Sequence, residues 1–151
     1  MQGDALARSI RAVGLGAFPC SETKTPAIPK NTSWGVWAFE PIEALPWRSG
    51  LVGVPVPPGL VVLDLDTYKG ATREQVEIAL GVSLEWEDAL IQHTMQGGQH
   101  YAFKVGWNVR FGSNMAGVRG LDTRTYGKGY IATGPGYSPV GGGVHTMADA
   151  D

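Results

Sequence analysis

Apolar residues cluster along the chain in short runs that predict more strands than helices. Leu60 to Asp66 is an apolar, β-branched run that ends in acids, and it predicts a buried strand. Leu51 to Val54 predicts a short strand before a proline-rich turn. Four further runs predict two hairpins. They are Ala89–Thr94 with Gln99–Val105, joined around Gly97-Gly98, and Val118–Arg124 with Gly129–Thr133, turning near Tyr126-Gly127.

Helical signals are few. Asp4 can cap a helix that runs to about Val13. Thr72 and Gln75 have capping-box spacing, and Gly81 follows as a stop signal, so a second helix is expected between them. Residues 19–33 are rich in Pro, Ser and Thr and predict a loop. A few helices among many strands indicate an α+β fold.

The strand ending in Asp64 and Asp66 carries the first chemical signal. Side chains alternate across a strand, so Asp64 and Asp66 share one face with Val62, and the apolar residues between them can pack on a core. The two carboxylates then lie about 7 Å apart along the strand. Strand-end Asp residues are often ordinary turn formers. Two on one face favour a site for Mg²⁺ or Mn²⁺, which prefer oxygen ligands.

Two later strands also combine an apolar face with a polar one. His100, Ala102 and Lys104 alternate on one strand, and Asp122 and Arg124 share a face of another. Arginine suits bidentate phosphate binding, and Asp122 adds a third carboxylate. A surface ion pair between Asp122 and Arg124 would look the same in sequence. If these strands share a sheet with aligned polar faces, they predict a carboxylate–metal–phosphate site suited to phosphoryl transfer.

Composition and charge limit the classes of protein to which the chain can belong. The chain has 151 residues, a formal net charge of −2 and one cysteine. This length suits one domain. The weak charge argues against strong autonomous binding to bulk DNA, although residues 101–130 hold five bases and one acid. The lone Cys20 excludes a disulfide framework and a Cys-based zinc site within this chain. No apolar run predicts a membrane span or a signal peptide, so a soluble cytoplasmic protein is expected.

The motifs GLVVLDLD, GG-x-H and GLDTR followed by GKGYIATGPG resemble, in this order, a known family. It is the bifunctional primase/polymerase (prim-pol) domain of the archaeo-eukaryotic primase superfamily, found in phage and plasmid replication proteins. The resemblance covers roughly residues 5–140. It implies a small N-terminal α/β unit packed on an RRM-like mixed or antiparallel sheet, with the site between them. It also implies that residues 1–151 are the catalytic domain of a longer helicase-primase.

The resemblance further implies a nucleotidyltransferase that acts as DNA primase and DNA polymerase. It would use template and primer DNA with (d)NTPs, two divalent ions (Mg²⁺ or Mn²⁺) and no zinc. The roles carry over by motif position as follows: Asp64, Asp66 and Asp122 as catalytic metal ligands, and His100, Arg124, Lys104 and Lys24 as nucleotide-binding residues.

Other functions remain open at this point. Five tryptophans and the basic 101–130 segment would also suit a non-catalytic module that binds single-stranded nucleic acid. An Asp-x-Asp strand also occurs in haloacid-dehalogenase-type phosphatases, but Tyr68 stands where that family expects Thr or Val. A nucleotide-sugar glycosyltransferase also uses Asp-x-Asp with Mn²⁺, usually on a longer chain.

Overall fold

Residues 3–105 and 118–140 are described by the computed structural model of the chain. Over these residues the fold is α+β, with two antiparallel sheets and few helices. The chain divides into two compact units. The first contains residues up to Pro55 together with Tyr130–Gly136, and the second contains Val56–Gly129 and residues from Tyr137 onwards. The tryptophan Trp107 and the base Arg110 lie outside the described residues.

The helices and strands are numbered in chain order. The helices are α1 (Gly3–Ala12), α2 (Trp34–Trp37), α3 (Arg73–Leu80) and α4 (Trp86–Ala89), with 3-10 turns at Ile42–Ala44 and Thr67–Lys69. The strands are β1 (Phe18–Pro19), β2 (Val52–Pro55), β3 (Leu60–Leu65), β4 (Leu90–His93), β5 (Gln99–Lys104), β6 (Leu121–Thr125), β7 (Tyr130–Thr133) and β8 (Ser138–Pro139).

The first unit is built on a three-stranded sheet in the order β1-β2-β7. Ala7 of α1 is fully buried and packs with Val52 of β2 in its apolar core. Arg11 closes the last turn of α1 and donates through Nη2 to the carbonyls of Ala17 (2.8 Å) and Trp37 (3.2 Å). Because a guanidinium can donate to several carbonyls at once, these bonds hold the chain at Ala17 and at Trp37 next to the end of α1.

The second unit is built on a five-stranded antiparallel sheet in the order β6-β3-β5-β4-β8. The apolar face of this sheet packs against α3 and α4. Val61, Leu63 and Leu65 of β3 are almost fully buried there. Trp86 of α4 stacks edge-on against Tyr101, with the ring centroids 4.8 Å apart. Burial of this face leaves the opposite face, which carries Asp64, free for polar side chains.

The sequence predictions for α3 and the first hairpin are confirmed. Thr72 caps α3 in a capping box with Gln75, and Gly81 ends the helix in the left-handed region with a φ of 72°. Strands β4 and β5 pair antiparallel around the Gly97-Gly98 turn. Helix α1 is also present, but it begins at Gly3, so Asp4 lies in its first turn and not at its cap.

The prediction of a second hairpin is wrong. Strand β6 pairs with β3, whereas β7 pairs with β2 in the other sheet. The turn after β6 forms as expected, with Gly129 donating to the carbonyl of Thr125 at 3.0 Å. Strand β7 nevertheless pairs with β2, because the alternation of side chains along a strand does not specify which other strand it pairs with. The predicted strand Val118–Arg124 begins only at Leu121, and Val118, which alternation would place on the face of Asp122, packs beside the apolar core.

Within the described residues, no helix has the length and apolar character needed to cross a membrane.

Candidate active site

Strand pairing brings the predicted polar residues together on one face of the five-stranded sheet. Asp64 of β3 lies directly opposite His100 of β5 on one side and Asp122 of β6 on the other. Arg124 lies opposite Val62 in the same ladder. Partners in an antiparallel ladder point to the same face, so the alignment required for a carboxylate–phosphate site is present.

An open depression of about 520 Å³ lies over this face. Acidic and basic side chains from β3, β6 and the 3-10 turn after β3 surround it. Its lining residues are Asp64, Asp66, Lys69, Gly120, Leu121, Asp122 and Arg124. The volume and polar lining suit a charged ligand of small-molecule size.

Asp64 and Asp122 form a like-charge pair across the β3–β6 ladder. Like charges directly opposite each other destabilise a sheet, so this pair needs a cation nearby. Arg124 supplies one: its Nη2 lies 2.9 Å from Oδ2 of Asp122 and 3.8 Å from Oδ2 of Asp64. Asp122 also accepts from the backbone N–H of Thr123 at 3.0 Å, which orients its carboxylate.

Asp66 follows the end of β3 and is held by its surroundings. Its backbone N–H donates to the carbonyl of Gly120 at 2.7 Å, and Nζ of Lys69 lies 3.4 Å from its Oδ2. Burial, and then the negative charge of Asp64, raise the pKa of Asp66 above its ordinary value, and Lys69 opposes this effect. Burial and the charge of Asp64 both disfavour the ionised form of Asp66, and a bound cation would oppose both effects.

Two glycines leave room for Asp66. A Cβ on Gly98 would lie 2.8 Å from the carbonyl oxygen of Leu65 and 3.2 Å from Oδ1 of Asp66. A Cβ on Gly120 would lie 2.9 Å from the carbonyl oxygen of Asp66, and Gly120 has a φ of +87°. At both positions neighbouring backbone lies close to the C-terminal end of β3. A larger residue at either position would displace that end of the strand.

His100 lies on this face of the sheet on the central strand β5, is almost completely buried, and is not among the residues that line the depression. Its Nε2 lies 3.4 Å from Oδ1 of Asp64. Its Nδ1 lies 2.7 Å from Nε2 of Gln92 on β4. The ring of Tyr137 stacks near it, with the centroids 6.4 Å apart. The imidazole is therefore held on three sides and contacts a carboxylate of the site.

Two predicted nucleotide-binding residues, Lys104 and Lys24, are not among the residues that line the depression. Lys104 is exposed at the far end of β5, opposite Leu60. It is four residues from His100, or about 13 Å along the strand. Lys24 belongs to the first unit, in a loop where its φ is 67° and its carbonyl accepts from the hydroxyl of Tyr130 at 2.8 Å. Their roles toward a nucleotide stay predictions.

The donor set fits a hard divalent cation. Asp64, Asp66 and Asp122 provide only oxygen ligands, and Mg²⁺ commonly uses one or two carboxylates together with substrate phosphates. Among the residues that the structure describes, no three His, Cys, Asp or Glu side chains stand together as a ready-made metal-binding group. Arg124 and Lys69 neutralise the carboxylates instead, so a metal would bind by displacing these ion pairs.

Sequence reasoning missed several residues of the site. Lys69 follows Asp66 at a spacing of three, which is a readable signal for an ion pair across the 3-10 turn. Gln92 gave no signal, because its strand partner depends on an irregularity in the β4–β5 ladder. Tyr137 lies on a segment that the sequence predicts only as a Gly/Pro loop.

No protein-family model matches the chain. A search of curated proteins finds no match either.

Proposed function

We propose that this chain is a primase-polymerase catalytic domain, a nucleotidyltransferase that adds nucleotides from (d)NTPs to a primer on a DNA template. The observation that carries the proposal is the alignment of Asp64, Asp122 and His100 in one register across β6, β3 and β5. Carboxylates and cationic groups are combined there as phosphoryl transfer requires.

The strand order supports the RRM-like part of the proposal. The strands β3, β4, β5 and β6 follow one another in the chain, and their order in space is β6-β3-β5-β4. This is the fourth-first-third-second order of an RRM sheet, with α3 and α4 between its first two strands. The first unit, with its helices and small sheet, would then be the N-terminal α/β unit of such a domain.

In the proposed reaction, a primer 3′-hydroxyl or the hydroxyl of the first nucleotide attacks the α-phosphate of a nucleoside triphosphate. The new phosphodiester bond forms as the bond to the β-phosphate oxygen breaks, and pyrophosphate leaves. Asp64, Asp66 and Asp122 would hold divalent ions that, when bound, stabilise the attacking and leaving oxygens.

The remaining side chains act on the phosphates. The guanidinium of Arg124 lies between Asp64 and Asp122 and offers a planar fork for bidentate phosphate contact. The imidazole of His100 lies 3.4 Å from the carboxylate of Asp64 and can donate to a phosphate oxygen. Positive groups placed where negative charge develops stabilise the transition state. A helicase in the same full-length chain would supply unwound template.

Primer extension on single-stranded DNA tests this function. The assay uses dNTPs or NTPs with Mg²⁺ or Mn²⁺ and compares wild type with Asp64→Asn and Asp66→Asn. We expect each variant to lose activity by on the order of 100-fold or more, because each removes a metal ligand. Asp88→Asn is the control, since Asp88 is an exposed carboxylate on α4, which packs on the other face of the sheet.

Each other outcome points to a different function. Nucleic-acid binding that survives EDTA, with no incorporation by the folded wild type, would favour the non-catalytic binding module. Metal-dependent hydrolysis of a generic phosphate ester would favour a phosphatase, and cleavage of a sugar nucleotide would favour a glycosyltransferase. Circular dichroism of each variant separates loss of activity from loss of fold.

A further inference from the structure

A buried polar pair lies behind the candidate active site. Gln92 of β4 is 4% exposed and His100 of β5 is 5% exposed. Nε2 of Gln92 lies 2.7 Å from Nδ1 of His100. Buried polar groups need partners, because an unsatisfied one costs about 1–3 kcal/mol. The pair is therefore a specific feature of the site and not an incidental surface contact.

The contacts of His100 select one tautomer of its imidazole ring. Oδ1 of Asp64 lies 3.4 Å from Nε2 in a charge contact that is not a hydrogen bond, and its negative charge favours a proton on that nitrogen. A proton on Nε2 leaves Nδ1 of the neutral ring as an acceptor. The amide Nε2 of Gln92 always donates, so it satisfies Nδ1. The hydrogen bond from Gln92 therefore selects the Nε2–H tautomer, and the charge of Asp64 favours the same one.

An irregularity in the sheet places Gln92 for this contact. Leu90 pairs with Tyr101, so a regular antiparallel ladder would set Gln92 opposite Gln99 on the other face. The register shifts between Leu90 and Gln92, and Gln92 lies opposite His100 instead. Bulges of this kind re-aim a side chain and are common beside active sites.

We propose that Gln92 is a positioning residue that fixes the orientation and tautomer of His100, so that Nε2, the ring nitrogen beside Asp64, carries the proton that can be donated to a substrate phosphate. Only the catalytic consequence rests on the proposed nucleotidyltransferase function. The structural part, that Gln92 sets which ring nitrogen carries the proton, stands on the contacts of the two side chains. Second-layer partners of site histidines typically change activity by about 10- to 100-fold.

Nitrogen NMR of the histidine rings tests the structural part on the full chain without nucleotide or metal. In a neutral imidazole the unprotonated nitrogen resonates far from the protonated one, so the tautomer can be identified directly. A His100→Gln variant identifies the His100 signals among the three histidines. We expect wild type to show protonated Nε2 and unprotonated Nδ1.

Two variants of Gln92 should change this pattern in different ways. Gln92→Glu offers an acceptor in place of the donor and should put a proton on Nδ1. Gln92→Met keeps the size but removes the donor, so the ring should exchange between tautomers and show averaged nitrogen shifts. If burial of the new carboxylate unfolds the first variant, the Met variant decides. Gln99→Glu is the matched control, because Gln99 is next to His100 in the chain but points to the other face.

A wild-type ring protonated at Nδ1 would overturn the proposal, as would unchanged His100 shifts in folded Gln92→Met. For the catalytic consequence, we expect Gln92→Met to slow single-nucleotide incorporation about tenfold at saturating nucleotide. If wild type shows the expected tautomer but incorporates no nucleotide, the proposed function fails while the role of Gln92 in positioning the ring stands.

Discussion

An alanine at Gly98 should displace backbone at the end of β3, and Gly97 beside it provides a matched comparison. A Cβ on Gly98 would lie 2.8 Å from the carbonyl oxygen of Leu65, 3.1 Å from Oγ1 of Thr94 and 3.2 Å from Oδ1 of Asp66. The Thr94 and Asp66 side chains can rotate away. The carbonyl of Leu65 is backbone at the end of β3, so the strand or the hairpin must move.

The two Gly→Ala variants differ in the kind of cost. Gly98→Ala overpacks a filled space, which costs about 1–3 kcal/mol. Gly97 has a φ of +84° with no atom within 4 Å of its added Cβ. Gly97→Ala therefore carries only the backbone cost of the left-handed region, about 1–2 kcal/mol. The two variants can therefore have similar free energies of unfolding. The effect that distinguishes them is the displacement of the Asp66 carboxylate in Gly98→Ala.

The assay measures both properties. Urea denaturation followed by circular dichroism gives the free energy of unfolding of each variant, and titration with Mn²⁺ followed by its electron paramagnetic resonance signal gives the metal affinity. We expect Gly98→Ala to weaken Mn²⁺ binding about tenfold, because it shifts the end of β3 and Asp66 with it. Gly97→Ala should keep the wild-type affinity. Equal Mn²⁺ affinities in both folded variants would refute the reasoning.

Two further predictions concern residues outside the depression. Burial raises the pKa of Cys20 from an ordinary 9.0 to about 12, so its thiol should resist a disulfide reagent at pH 8 in the native state and react once urea unfolds the chain. The thiol of the unfolded chain ionises at a lower pH than the buried thiol of the folded chain. The stability that burial of this neutral thiol contributes is therefore complete below pH 9 and is lost as the pH rises toward 12. A urea midpoint that stays constant over this pH range would contradict the burial of Cys20. Tyr101→Phe removes the hydroxyl that accepts from Nε (3.2 Å) and Nη2 (3.0 Å) of Arg73 and should lower the free energy of unfolding by about 1 kcal/mol. An unchanged urea midpoint for Tyr101→Phe would show that water replaces this contact.

The faces of individual strands could be predicted from sequence. Alternation along β3 correctly separates Asp64 from the buried Leu63 and Leu65, because side-chain direction depends only on the local period of two. The same rule assigns His100 and Asp122 to polar faces. The capping box at Thr72 is equally local, since its donors and acceptors lie within four residues.

Strand partners could not be predicted in the same way. The segment from β6 to β7 has the pattern of a hairpin, yet the two strands belong to different sheets. Pairing depends on contacts between residues far apart in the chain, which local pattern does not encode. Gln92 was missed for a related reason: only the register shift in the β4–β5 ladder turns it toward His100.

The central claim is that the Asp64 face of the sheet carries templated nucleotidyl transfer. The most direct measurement is the incorporation of one labelled nucleotide opposite each of the four template bases, with Mn²⁺, by wild type and Asp64→Asn. We expect wild type to add the complementary nucleotide in preference to the other three and Asp64→Asn to add none at a measurable rate. Incorporation by Asp64→Asn at the wild-type rate, or no incorporation by either folded protein, would contradict it.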